Sequence, residues 1–178
     1  MHYHKLPHSP CNFFFFSSFS LSLSLCLSLS QDRHNGNLLI DNLGHAIHID
    51  YGFILGISPG GNMGFETAAF KITADMVALM GGQGGEVYRQ FEDLVVRGFL
   101  VARSVCCEVV DVVAALADSG LPCFLHKEDN LERLRGRFMP ELTATEAAKC
   151  MRLKVADAAD KWTTKAYDGI QKLQNNIY

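Results

Sequence analysis

Apolar residues follow three patterns along this chain, and each marks a different kind of element. Leu38-Leu39-Ile40 and Ala46-Ile47-His48-Ile49 are short apolar runs on either side of Asp41-Asn42-Leu43-Gly44. Two such runs around a turn with Asn and Gly predict a β-hairpin. In its second strand Ile47 and Ile49 share one face, while His48 and Asp50 share the other. Residues 51–72 lose periodicity and carry Gly56, Pro59, Gly60, Gly61 and Gly64. A connection this long inside a compact domain tends to be functional.

From Thr73 the spacing becomes helical. Thr73 is an N-cap with Asp75 in the first turn, and Gly81-Gly82 ends that helix. Phe91, Leu94, Val95 and Phe99 form one helical face, and Val105, Val109, Val112, Val113 and Leu116 form another, stopped by Gly120 and Pro122. Thr143-Ala-Thr-Glu146 is a capping box, with Ala147, Met151 and Val155 on the core side of the helix it opens. A last helix is predicted over Thr164 to Ile177. Its apolar positions Ala166, Ile170, Leu173 and Ile177 lie opposite Lys165, Asp168, Lys172 and Asn175. The expected fold class is α+β and mostly helical, a small β-hairpin followed by about five or six helices.

Residues 1–30 fit none of this. Phe13 to Ser30 is a Phe/Ser/Leu run with Ser at almost every second place in its latter half, a poor membrane span. Lys5 ahead of it gives the layout of a signal peptide. The codons explain the pattern better. Alternating Leu and Ser is what a CT repeat encodes, Phe13 to Ser30 can be written almost wholly in pyrimidines, and Gln31 can be CAG. That is the layout of the end of an intron, so residues 1–30 are expected to be translated non-coding sequence, or else a disordered low-complexity segment, and residues 31–178 to form the domain.

Composition narrows the partners. A fifth of the chain is charged and the net charge is −3. No basic block or dense Lys/Arg stripe offers a nucleic-acid surface. The six cysteines, at 11, 26, 106, 107, 123 and 150, form no C-x-x-C pair, so reduced cytosolic thiols are expected rather than a disulfide frame or zinc ribbon. Cys106-Cys107 sits in an apolar helical stretch and is expected to be core. His126 is expected on the surface, and Arg97 and Arg103 solvated or paired with Asp93 and Asp111.

The chemically dense segment is Asp32-Arg33-His34-Asn35-Gly36-Asn37, just before the hairpin, with Asp50-Tyr51-Gly52 just after it. A hairpin brings its ends together, so Asn37 and Asp50 can face one small volume. An amide oxygen and a carboxylate are hard ligands that suit Mg²⁺ bridging substrate phosphates. Asp32 and His34 stand upstream, within reach of an attacking hydroxyl, and Ile49 can line an apolar slot for a purine. His45-x-x-His48-x-Asp50 could instead be a hydrolase metal cluster, but residues three apart on a strand point to opposite faces and chelate poorly. A catalytic loop with Asp and a downstream Asn, then Asp-x-Gly, is the kinase arrangement.

Asp-Arg-His-x-x-Asn followed by His-Ile-Asp-Tyr-Gly-Phe resembles the phosphatidylinositol 3-/4-kinase superfamily. "SPGGNMGFE", "GLPCF", "RFMPELTATEAA" and "YDGIQKLQNNIY" resemble its type III phosphatidylinositol 4-kinase alpha branch, over essentially Gln31 to Tyr178. The resemblance implies the C-terminal lobe of a protein-kinase-like catalytic domain that transfers the γ-phosphate of ATP to the 4-hydroxyl of phosphatidylinositol. It makes Asp32 and His34 the catalytic pair, Asn37 and Asp50 the ligands of Mg²⁺ (or Mn²⁺), and Leu39 and Ile49 the floor of the adenine pocket. Residues 51–72 become the activation loop that meets the lipid headgroup, with Gly60, Gly61, Asn62 and Lys71 as its contacts. It implies a cytoplasmic enzyme peripheral at membranes, the plasma membrane by family, with phosphatidylinositol as substrate, scaffold or regulatory subunits as partners, and no nucleic acid.

The family's phosphate-binding loop, ATP-anchoring Lys and hinge have no counterpart in this sequence, which holds no G-x-G-x-x-G or Walker-type run. Gly81 to Gly85 follows a helix and has no nearby Lys. The chain on its own is therefore expected to be inactive. The alternatives are a catalytically dead fragment that serves as an interaction module, and the protein kinase branch of the same superfamily.

Overall fold

The computed structural model describes residues 37–41, 46–49, 54–55 and 72–160. Residues 1–30, most of the 51–72 loop and the helix expected over Thr164 to Ile177 lie outside them. The hairpin is present as β1 (Leu38–Ile40) and β2 (Ala46–His48), paired antiparallel with Leu38 opposite His48, Leu39 opposite Ile47 and Ile40 opposite Ala46. Among the described residues five α-helices follow: α1 (Ala74–Leu79), α2 (Glu86–Ser104), α3 (Cys106–Ala114), α4 (Lys127–Arg137) and α5 (Ala144–Asp160). A 3₁₀ turn, Pro122–Phe124, precedes α4. The expected mostly helical α+β architecture is borne out.

Local chemistry sets the helix limits. The Thr73 hydroxyl accepts from the Met76 N–H at 3.2 Å and opens α1. Beyond α1, Gly81 and Gly82 both take φ of 81°, a left-handed conformation that costs glycine nothing. Gly85 is needed for space instead. A Cβ there would stand 2.4 Å from the Met80 carbonyl oxygen, closer than any side chain can approach. At α5 the capping box forms as expected: the Glu146 N–H donates to the Thr143 hydroxyl (3.3 Å), and the Thr143 N–H (2.9 Å) and hydroxyl (2.7 Å) donate to the Glu146 carboxylate.

The main core lies between α2 and α5. Tyr88, Phe91, Val95 and Phe99 recur at helical spacing on α2, and Ala147, Met151, Val155 and Ala158 do so on α5. The small Ala147 and Ala158 let the helices approach, and Ile72 and Met80 close one end. Burying a side chain such as Phe99 is worth about 1.5–3 kcal/mol. Outside the core, Arg152 of α5 donates to Glu92 (2.8 Å) and Asp93 (2.5 Å) of α2.

Three expectations need correction. The α3 stripe is rotated, because a break at Val105 (φ −119°, ψ 28°) separates it from α2 and resets the helical phase. Val110 is buried, with Cys106, Val109, Val113 and Ala117 beside it, while Val105, Val112 and Leu116 are exposed. Cys106 thus packs at the core, but Cys107 is exposed. Arg103 does not pair with Asp111. Its guanidinium donates to three carbonyls, those of Phe138 (3.0 Å), Met139 (3.3 Å) and Leu142. Those carbonyls follow α4 where Met139 turns left-handed at φ 52°, so Arg103 supplies donors to a helix end that lacks them. Asp93, the other suggested partner, is taken by Arg152. His126 is exposed, as expected.

A second core gathers Leu55, Val110, Cys123, Phe124, Leu134 and Phe138. Asn130, buried on α4, donates its side-chain amide to the Cys123 carbonyl at 2.6 Å and ties the 3₁₀ turn to that helix. This core reaches back to the segment after the hairpin through Ile54 and Leu55.

Candidate active site

Of the residues expected to carry chemistry, Asn37, Leu39 and Ile49 are among those described. Asp32, His34, Asp50, Gly60, Gly61, Asn62 and Lys71 lie outside them. Asn37 stands at the entry to β1 and is only 8% exposed. Its carbonyl accepts the Ile49 N–H at 3.2 Å, one residue pair beyond the β1–β2 ladder. The two ends of the hairpin are therefore held together at Asn37 and Ile49. Asp50 is the residue next in sequence after that bond.

Strand alternation then sorts the apolar residues. Leu39 and Ile47 are directly paired, and Ile49 follows Ile47 by two, so all three share one face. They are 49%, 44% and 53% exposed. A sheet face carrying Leu, Ile and Ile would normally be buried against another layer. Neither helical core among the described residues includes any of the three. The face lies beside a polar, buried residue at the strand entry, and Ile47 belongs to it as fully as Leu39 and Ile49. Its strand parity was visible in the sequence, but only the β1–β2 register shows that it stands opposite Leu39.

An amide oxygen at Asn37 and, one residue after the bonded Ile49 in sequence, a carboxylate at Asp50 are hard donors of the kind that suit a cation such as Mg²⁺. Such a pair of oxygens would hold a cation only together with substrate phosphates, whose charge the cation would neutralise. Among the described residues no group of three His, Cys, Asp or Glu could cage a metal by itself. On the helices, Arg89 and Gln90 hold the Glu86 carboxyl below its ordinary range, Thr143 does the same for Glu146, Asp93 raises Arg152, and Cys106 raises the Cys107 thiol. These four belong to surface pairs and caps. No helix among the described residues is long and apolar enough to cross a membrane.

Residues 20–126 match the family described as phosphatidylinositol 3- and 4-kinase, a span that contains the hairpin and the segments on both sides of it. Phosphatidylinositol 4-kinase alpha 2 of Arabidopsis thaliana is 47% identical over 150 residues, 83% of this chain and 28% of that protein. Phosphatidylinositol 4-kinase alpha 1 of the same plant is also 47% identical, over 7% of its own length. Phosphatidylinositol 4-kinase STT4 of Saccharomyces cerevisiae is 42% identical over 83% of this chain and 8% of its own length. The chain spans less than a third of each of these relatives. Kinases of this kind use ATP and a divalent metal in general. The chain belongs to the phosphatidylinositol 3- and 4-kinase family, among relatives named phosphatidylinositol 4-kinases.

Proposed function

We propose that this chain supplies the metal-binding and base-binding part of a lipid kinase that transfers the γ-phosphate of ATP to the 4-hydroxyl of phosphatidylinositol. The observation that carries the reading is the hairpin: an exposed face of Leu39, Ile47 and Ile49, with its ends held at Asn37 and Ile49. The flat apolar face stacks the adenine ring. Asn37 and Asp50 hold Mg²⁺, or Mn²⁺ in its place, which when bound neutralises charge on the phosphate oxygens. Asp32 and His34 orient the inositol hydroxyl, and one of them takes its proton, at a carboxylate oxygen or a neutral ring nitrogen.

Residues 51–72 select the lipid, with Gly60, Gly61, Asn62 and Lys71 at the headgroup. Between Asp50 and Thr73 the only basic residue is Lys71, and Glu66 is also present. Such a loop can meet the single phosphodiester of phosphatidylinositol. It offers little to neutralise a bisphosphate, each of whose monoesters brings close to two charges. The enzyme acts from the cytoplasm at a membrane surface, the plasma membrane by family resemblance, with scaffold or regulatory subunits.

Positioning of the phosphates is as necessary as the metal, and no phosphate-loop run occurs in these 178 residues. By itself the chain is therefore inactive. The test is a chimera in which residues 31–178 replace the matching segment of the yeast relative. Given ATP and vesicles of phosphatidylinositol, it should form the 4-phosphate and strongly disfavour the 4,5-bisphosphate lipid. Phosphate on another ring position, or equal use of the bisphosphate, would contradict the reading.

A further inference from the structure

The apolar stripe of α3 is wider than the core it meets. Val110 turns into the second core with Leu134 of α4, and Val109 and Val113 pack at the edge of that core. Val112 and Leu116 belong to neither core and are 69% and 53% exposed, and Val105 at the helix entry is 41% exposed. Ala115 keeps helical torsions (φ −59°, ψ −21°), so Leu116 follows Val112 by one turn. At about 100° per residue, Leu116 lies about 40° around the helix from Val112, and Glu108 and Asp111 lie about 40° and about 100° away on the other side. The outer face of α3 is thus an aliphatic ridge edged by carboxylates. Neither Glu108 nor Asp111 forms a salt bridge among the described residues. Residues 105–126 contain Glu108, Asp111 and Asp118 and no Lys or Arg. Arg135 of α4 bears electrostatically on Cys107, which stands about 140° from Val112 and so away from the ridge.

Charge and shape together select what can cover this ridge. A second copy meeting it with the same face would bring its own Glu108 and Asp111 against these, and like charges across an interface are costly. An anionic membrane surface or a nucleic acid would be repelled by the same carboxylates. Val112 and Leu116, four apart, form a ridge of the kind that seats between the side-chain rows of another helix. We infer that the outer face of α3 is a docking site for a basic amphipathic helix of a partner protein. The apolar stripe of that helix covers Val112 and Leu116, and its Lys or Arg side chains meet Glu108 and Asp111. The inference is independent of the kinase reading, because no residue of the hairpin takes part.

The test uses the 178-residue chain and two fluorescent helical peptides of about 18 residues, five turns each. Both carry one Leu stripe, flanked by Lys in the first peptide and by Glu in the second. The Lys peptide should bind about tenfold more tightly than the Glu peptide, lose affinity with added salt, and slow hydrogen exchange in the segment containing Val112. Val112→Asp should weaken Lys-peptide binding about tenfold while leaving Tm unchanged, since most of that side chain is already in water. Should Val112→Asp lower Tm, Leu116→Ser carries the same comparison. Asp111→Lys should shift the preference toward the Glu peptide. Equal binding of the two peptides, or Lys-peptide affinity untouched by both the ridge and the Asp111 substitutions, would overturn the inference. So would slowed exchange at Val112 produced by anionic phosphatidylserine vesicles, or by raising the concentration of the chain alone, which would make the face a membrane or self-association surface.

Discussion

The α2 face and the hairpin face are both apolar, and they meet opposite fates. Phe91, Val95 and Phe99 are covered by α5, and Phe99 is 0% exposed. Leu39, Ile47 and Ile49 remain about half exposed on a face that neither core covers. The difference is not in hydrophobicity but in whether the described residues supply a partner of matching shape. An α-helical stripe was matched by a second stripe with small residues at its ends. A two-stranded sheet has too little area to build a layer of its own, so an apolar face on it needs a partner from elsewhere, and under the kinase proposal that partner is the adenine ring.

That contrast can be broken most forcefully at Phe99. Phe99→Ala should cost about 3–5 kcal/mol of stability, read by denaturant unfolding. Ile47→Ala, by contrast, should cost less than about 1 kcal/mol, because half of its surface is already in water, while raising KM for ATP in the chimera. Equal losses of stability would mean that the hairpin face is core after all. A smaller effect is expected at Gly85, where Ala would force its Cβ against the Met80 carbonyl oxygen. Misplacing the start of α2 in this way should cost about 1–3 kcal/mol, without changing KM for ATP.

The smallest effect concerns how α5 is set over α2. Thr143→Ala removes the acceptor of the Glu146 N–H and should cost about 1 kcal/mol, a few degrees of Tm. The Thr143 hydroxyl and N–H hold the Glu146 carboxyl below its ordinary pKa. A carboxylate depressed in the folded state stabilises above its unfolded pKa, and that contribution is lost as pH falls through the folded value. Acid unfolding should therefore weaken the α5 cap, and Glu146→Ala should remove that part of the pH dependence. An unchanged acid limb in Glu146→Ala would contradict it.

Much of this was legible in the residues. Thr73 and the Thr143–Glu146 box announced their helices by local hydrogen bonding, which needs no tertiary partner. The α2 and α5 stripes were legible because burial enforces the period. The α3 stripe was misjudged because Val105 and Val112 are as apolar as Val110, and only the break at Val105 decides which of them faces in. Arg103 was misjudged because its acceptors are carbonyls 35 to 39 residues away, and carbonyls leave no mark in a sequence. For the proposed site, Asn37 and Ile49 came from motif and strand parity and Leu39 from the family resemblance. The place of Ile47 opposite Leu39 depends on cross-strand register, which the residues alone do not carry.

Photolabelling tests most directly whether the hairpin face receives a purine ring. The chimeric kinase would be irradiated with an ATP analogue bearing a photoreactive group on adenine, with Mg²⁺ present, and the labelled peptides mapped by mass spectrometry. The account predicts label on Leu39, Ile47 or Ile49 that excess ATP removes. ATP-protected label confined to other parts of the protein, with the hairpin unmodified, would contradict it.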